Sequence, residues 1–186
     1  MILRSYDETI EAIKAVDRSK LTAVSLSIAQ TSRARGVVYI FGNGGSAAES
    51  AHMASELSGG MYRGSPIVLA VDLSAMSATM TAISNDFAYS SYPSLVLHAA
   101  SKLDTLILLS TSGTSKNVRM AADVAKSNCI ETFMITGDHV DAPERPFPGT
   151  RIIVPSRDTQ VVQEVTLLLI HDICYEVDRL LSEGMK

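Results

Sequence analysis

The sequence predicts an α/β fold, a doubly wound parallel sheet with helices on both faces, and three observations predict it. Short β-branched runs recur along the chain and alternate with stretches of helical periodicity. The runs are apolar on both alternating sets of positions, as in strands covered on both faces. Two Gly- and Ser-rich segments follow a strand directly and lead into a helix, the place where such sheets collect ligands.

Taken in order, residues 5–34 place Ile10, Ile13, Val16, Leu21 and Val24 at helical spacing, as one long helix or two shorter ones closed by Gly36. GVVYIF (36–41) reads as a buried strand, GNGGS (42–46) as a turn and AAESAHMASEL (47–57) as a helix. PIVLAV (66–71) reads as a second buried strand. A small-residue helix is expected from Ser74 to about Ile83, then a loop around Asn85 and Asp86 and a further helical stretch over 91–101. DTLILL (104–109) is the clearest strand; STSGTSKNV (110–118) runs from it into a helix ending near Asn128. ETFMIT (131–136) and RIIVP (151–155) are the last strands, separated by the Pro-rich DAPERPFPG (141–149). Residues 159–181 form a long final helix, apolar nearly all round, which suits burial against its own domain or a partner chain.

Composition narrows the function. With 186 residues, 46% hydrophobic and 19% charged, the chain fits one domain (1–186) with a filled core. A formal charge of -4 without a basic cluster argues against nucleic acid as a partner. No apolar run approaches the roughly 20 residues of a membrane span, and charged residues interrupt the N-terminus, so neither a membrane nor a secretory route is expected. Cys129 and Cys174 stand apart in apolar runs and read as buried, reduced thiols, in keeping with a cytoplasmic location.

The chemistry is carried by two loops and two helices. STSGTS offers Ser110, Thr111, Ser112, Thr114 and Ser115 around Gly113 at a helix N-terminus, where free N–H groups and hydroxyls suit a phosphate monoester. A plain Ser/Thr N-cap would account for one such hydroxyl. GNGGS matches neither the dinucleotide nor the Walker pattern; it serves either as a packing turn or as a site in which Asn43, Gly44 and Gly45 approach a sugar. His52 and Glu56 are four apart and share a helix face; Gln163 and His171 lie two turns apart on the last helix. Each alone reads as ordinary, His171 as a core residue and Glu56 as a solvated one. Converging, they would supply a carboxylate base and an imidazole acid, or a metal site of two imidazoles, a carboxylate and an amide oxygen. Spacing alone does not establish convergence.

FGNGGSAAESAHMASEL, AISNDF, LLSTSGTSKNV, ITGD and VPSRDTQVVQEVTLLLIH together resemble the SIS-domain phosphoheptose isomerases, in order and at similar spacing over about 36–175. The resemblance implies a three-layer sandwich with a five-stranded parallel sheet and a homotetramer with active sites between subunits. The N-terminal helical segment (about 1–34) would then serve oligomerisation. It implies that sedoheptulose 7-phosphate and a manno-configured heptose 7-phosphate interconvert by enediol proton transfer. It also implies that Asn43, Gly44, Gly45, Asn85 and Asp86 contact the phosphorylated ketose or aldose, that Ser110, Thr111, Ser112 and Ser115 hold its phosphate, that Glu56 is the base and that His171 is the acid. His52, Glu56, Gln163 and His171 match the zinc ligands of some members, one ion per site with no organic cofactor. Gly60 stands where many relatives have Arg, with Arg63 as a candidate replacement, and Gln160 and Thr166 replace an acidic residue and a His. These departures leave the acid and base intact and bear on substrate preference. Two other functions compete: an isomerase of another sugar phosphate, and a non-catalytic SIS module of the replication-initiator partner type. The second lacks the catalytic pair that Glu56 and His171 match here.

Overall fold

A computed structural model describes residues 5–60, 66–139 and 146–183. Arg63 and most of the Pro-rich loop lie outside these residues. The N-terminal periodicity resolves into two helices, α1 (Asp7–Lys14) and α2 (Arg18–Arg33). Asp17 divides them by capping α2, accepting from the Ser19 N–H at 3.0 Å. Strand β1 (Val38–Gly42), helix α3 (Gly45–Gly59) and strand β2 (Ala70–Asp72) follow. A short 3-10 turn then leads into α4 (Ser77–Asp86). Strand β3 (Thr105–Leu109), helix α5 (Lys116–Ser127), strands β4 (Glu131–Gly137) and β5 (Thr150–Val154), and helix α6 (Thr159–Glu183) complete the order.

All strand pairs are parallel, in the order β2-β1-β3-β4-β5. Alternate strand residues feed two cores. Val38, Ile40, Ile107, Leu109, Ile135 and Val154 pack under α2, α3 and α6. Phe41, Leu106, Leu108 and Met134 face the other way, under α5, with Met80 and Ile83 of α4 at the margin. The expected three-layer, five-stranded parallel architecture is therefore present. One face of the α1–α2 segment packs within the chain, through Ala12, Leu21, Val24, Ile28 and Ala29. Helix α6 buries one face and leaves Leu167, Leu168 and Tyr175 partly exposed.

Four expectations need correction. The second strand is three residues long and lies at the sheet edge; Val68 is buried, whereas Ile67 and Leu69 are 71% and 57% exposed. Residues 67–69 lead into this strand at the sheet edge, where only Val68 of the three finds cover although the sequence is apolar throughout. Asn85 and Asp86 belong to the last turn of α4 rather than to a loop. Residues 91–101 hold no α-helix, only 3-10 turns at Tyr89–Ser91 and Val96–Ala99 on either side of Pro93, which disfavours helical backbone in the residue before it. Cys129 is exposed, while Cys174 is buried. Cys129 sits just past α5 at φ 56, where Ile130 N–H donates to Ala125 O (2.8 Å) and Cys129 N–H to Lys126 O (3.1 Å). That paired closure turns the side chain at 129 outward.

Candidate active site at the carboxyl ends of the strands

Glycine sets the first loop. Gly44 has φ 58 and ψ -123, a conformation closed to side chains, and a β-carbon there would meet nothing within 4 Å. The backbone is thus bare where α3 begins. At Gly45 a β-carbon would overlap the Gln163 amide, so the missing side chain lets α6 approach the start of α3. Asn43 is held between elements. Its amide and that of Asn117 pair reciprocally, Asn43 Nδ2 to Asn117 Oδ1 at 3.0 Å and Asn117 Nδ2 to Asn43 Oδ1 at 2.9 Å. The Tyr89 hydroxyl also donates to Asn43 Oδ1, at 2.6 Å.

The second loop follows β3. Ser110 is buried; Thr111, Ser112 and Ser115 are half-buried. Ser115 occupies the N-cap position of α5, yet makes no side-chain cap hydrogen bond. The capping explanation of this serine therefore fails, and its hydroxyl is not spent on the helix. The Val118 N–H of the first turn is taken instead by Asn117 Oδ1, at 3.0 Å. Ser112 Oγ accepts from the Thr114 N–H and hydroxyl, at 3.3 and 3.0 Å. Arg119 steadies the turn from behind, its Nε donating to Gly113 O at 2.8 Å.

Helices α3 and α6 bring the remaining groups together. His52 Nε2 lies 3.1 Å from His171 Nε2 and 3.5 Å from Glu56 Oε1. Donor atoms of all three residues fall within 4.8 Å of one another. Residues 119 positions apart in sequence thus converge. His52 and Glu56 are part-buried and His171 is exposed, so the trio opens toward solvent. Tetrahedral ligands about 2.0–2.1 Å from a zinc ion stand about 3.3 Å apart. The two separations measured from His52 bracket that edge, so the donor set fits a metal ion. Gln163 lies on the same helix as His171 and meets α3 at Gly45.

Two neighbours of the trio are perturbed. Burial pushes the Glu49 carboxyl, one turn before His52, up to about 7, and Ser46 opposes the shift only in part. Cys174 is pushed up to about 12, by burial first and by the Glu56 charge second, so it is a thiol and not a nucleophile.

Asn85 and Asp86 are not brought to these groups. They are exposed at the end of α4, where Asn85 Nδ2 donates to Asp86 Oδ1 at 2.8 Å. Contact between this segment and the ligand loops is made by Tyr89. The sequence reading missed Tyr89 and Asn117. Asn117 left one trace, an Asn two positions after the N-cap serine, where a short amide can take a first-turn N–H. A groove at the opposite, amino ends of β3, β4 and β5 contains none of the candidate residues. Among the described residues, no helix is long and apolar enough to cross a membrane.

Comparison with known proteins agrees with this geometry. Residues 3–137 match the SIS domain. The chain is 34% identical over 177 residues to a phosphoheptose isomerase of Helicobacter pylori strain Shi470, spanning 94% of this chain and 91% of that one. It is 36% identical over 183 residues to a phosphoheptose isomerase of Aliarcobacter butzleri strain RM4018, covering 96% and 94% of the two chains. The structure of a phosphoheptose isomerase from Francisella tularensis superposes with a TM-score of 0.85 at 25% identity, over 94% of this chain and 93% of that one.

Proposed function

The chain belongs to the SIS-domain phosphoheptose isomerases, aldose–ketose isomerases acting on sedoheptulose 7-phosphate, and we propose that Glu56 and His171 carry out its proton transfers. The observation that carries this reading is the approach of His52, Glu56 and His171 to within 4.8 Å at the ligand end of the sheet.

From the ketose, the Glu56 carboxylate takes a proton from C1. The C1–H electrons form the C1–C2 double bond, and the C2 oxygen takes a proton from His171. The enediol collapses as Glu56 returns its proton to C2 and the O1 proton passes to His171. An aldehyde is left at C1, and both side chains regain their starting states. No external oxidant or reductant enters, because the reaction moves hydrogen within one sugar. Asn43 and the bare backbone at Gly44 and Gly45 would meet the sugar. Ser110, Thr111, Ser112 and Ser115 would bind the phosphate, consistent with an N-cap serine that does not cap. In a zinc-loaded form His52, Glu56 and His171, with Gln163, would hold the ion, which would polarise the substrate carbonyl in place of the His171 proton.

We extend the reading to a homotetramer. Support comes from α4, which has no buried residue, and from Ile67, Leu69 and Phe87, all strongly exposed. Asn85 and Asp86 would then act on the site of a neighbouring subunit. Both cysteines are free thiols, which suits a reducing cytoplasm.

The test is steady-state isomerisation of sedoheptulose 7-phosphate by Glu56→Gln and His171→Ala. Each should lose about 10²–10⁴-fold in kcat, with unfolding midpoints close to wild type because neither side chain is a core residue. Retention of a tenth or more of the wild-type kcat by either variant would remove that residue from the mechanism.

A further inference from the structure

We propose that Asn117 and Tyr89 are positioning residues that lock Asn43 as a hydrogen-bond donor toward the substrate; this rests on the reading that Asn43 contacts the sugar. The argument is an accounting of the Asn43 amide. Its oxygen has two lone pairs, and both are occupied, by Asn117 Nδ2 at 2.9 Å and by the Tyr89 hydroxyl at 2.6 Å. Its nitrogen has two hydrogens, one of which goes to Asn117 Oδ1 at 3.0 Å. One N–H remains. Asn43 therefore meets a ligand only as a donor, and the partner must be an oxygen lone pair of a hydroxyl or carbonyl.

The orientation of the pair is fixed by the backbone. Two facing amides could exchange roles by turning over together, with no change in their mutual bonds. The Val118 N–H prevents it, because a backbone N–H can only donate, and it points at Asn117 Oδ1 at 3.0 Å. That contact sets Asn117, Asn117 sets Asn43, and the Tyr89 hydroxyl follows by donating to Asn43 Oδ1. Asn117 is 4% exposed, so turning its amide over would strand a buried donor or acceptor. The consequence reaches across the molecule. The start of α5 carries the phosphate loop, Asn43 carries the Gly-rich loop, and Tyr89 follows Asn85 and Asp86. Three segments that would hold one substrate are thus joined through a single side chain.

The test is a double-mutant cycle on the full chain, with KM and kcat measured on sedoheptulose 7-phosphate. Tyr89→Phe removes only a hydroxyl from a half-exposed ring, whereas Asn117→Asp replaces the donor to Asn43 Oδ1 by a second acceptor oxygen and adds a buried negative charge. Each should raise KM about three- to tenfold and leave kcat within about twofold, the loss of one oriented hydrogen bond in binding. In an Asn43→Ala background Tyr89→Phe should have no further effect, since the group it orients is gone. A purely structural role would add its cost in both backgrounds, and that result overturns the proposal. Should Asn117→Asp fail to fold, Tyr89→Phe carries the cycle alone. Wild-type KM in Asn43→Ala would also overturn it, by removing the substrate contact, and absence of wild-type turnover would remove the isomerase reading beneath both. The three failures are distinguishable.

Discussion

Helix α3 sinks Met53, Ala54 and Leu57 into the core beside α6, whereas α4, on the opposite face of the sheet, has no buried residue. The first layer assembles His52, Glu56 and His171 within one chain. The second leaves Asn85, Asp86 and Phe87 in solvent, Phe87 at 71% exposure. The contrast teaches where the chain is complete by itself. Proton-transfer groups need fixed mutual geometry, and rigid, packed helices supply it. The α4 margin has apolar surface and no cover, which is how a site finished by a second subunit would look in one protomer.

The sharpest way to break this contrast is Phe87→Asp. On a free surface the substitution would change stability by no more than about 0.5 kcal/mol. Under a neighbouring subunit it places an unpaired charge in an apolar contact, which costs several kcal/mol. We expect sedimentation velocity to show a smaller species, with activity at micromolar concentration reduced at least about tenfold as the shared sites come apart. Unchanged sedimentation together with unchanged activity would show that α4 is finished as it stands.

A smaller effect is expected at the loop proposed to hold the phosphate, which belongs to neither layer. On the proposed reading, Ser112→Ala removes a hydroxyl that would bind the substrate tail equally in ground and transition states. KM should therefore rise about fivefold while kcat holds. A fall in kcat with unchanged KM would place Ser112 with the reacting carbons instead.

Much of this was legible in the sequence, for identifiable reasons. Residues 106–109 and 133–135 are apolar at consecutive positions because β3 and β4 are covered on both faces, and the pattern says so directly. PIVLAV carries the same pattern at an edge, where Ile67 and Leu69 face outward. Composition records that a residue is apolar, and not whether its own chain covers it. His52 and Glu56 could be paired from their spacing, because one helix enforces it. Their meeting with His171 could not, because it depends on how α3 and α6 pack. Asn117 left only a faint trace and Tyr89 none, for another reason: a lone polar residue looks solvated until its partner is seen. Cys129 misled because the turn after α5, and not the apolar run that follows, decides its exposure.

The smallest predicted effect probes the packed layer itself. Glu49 lies on α3 with Oε2 buried and without a hydrogen-bond partner, and burial pushes its carboxyl from 4.5 to about 7. The folded state therefore holds a proton that the unfolded chain releases near 4.5. Stability from this group is fully present below pH 4.5, is lost as pH rises toward 7, and is constant above. Glu49→Gln keeps the shape and removes the titration. Relative to wild type, the variant should gain stability between pH 5 and pH 8. The gain is about 1 kcal/mol after allowance for partial solvent exposure, or about 2–4 °C in melting temperature. A melting difference that is the same at both pH values would mean that Glu49 ionises freely, and that the layer around His52 is wetter than its packing implies.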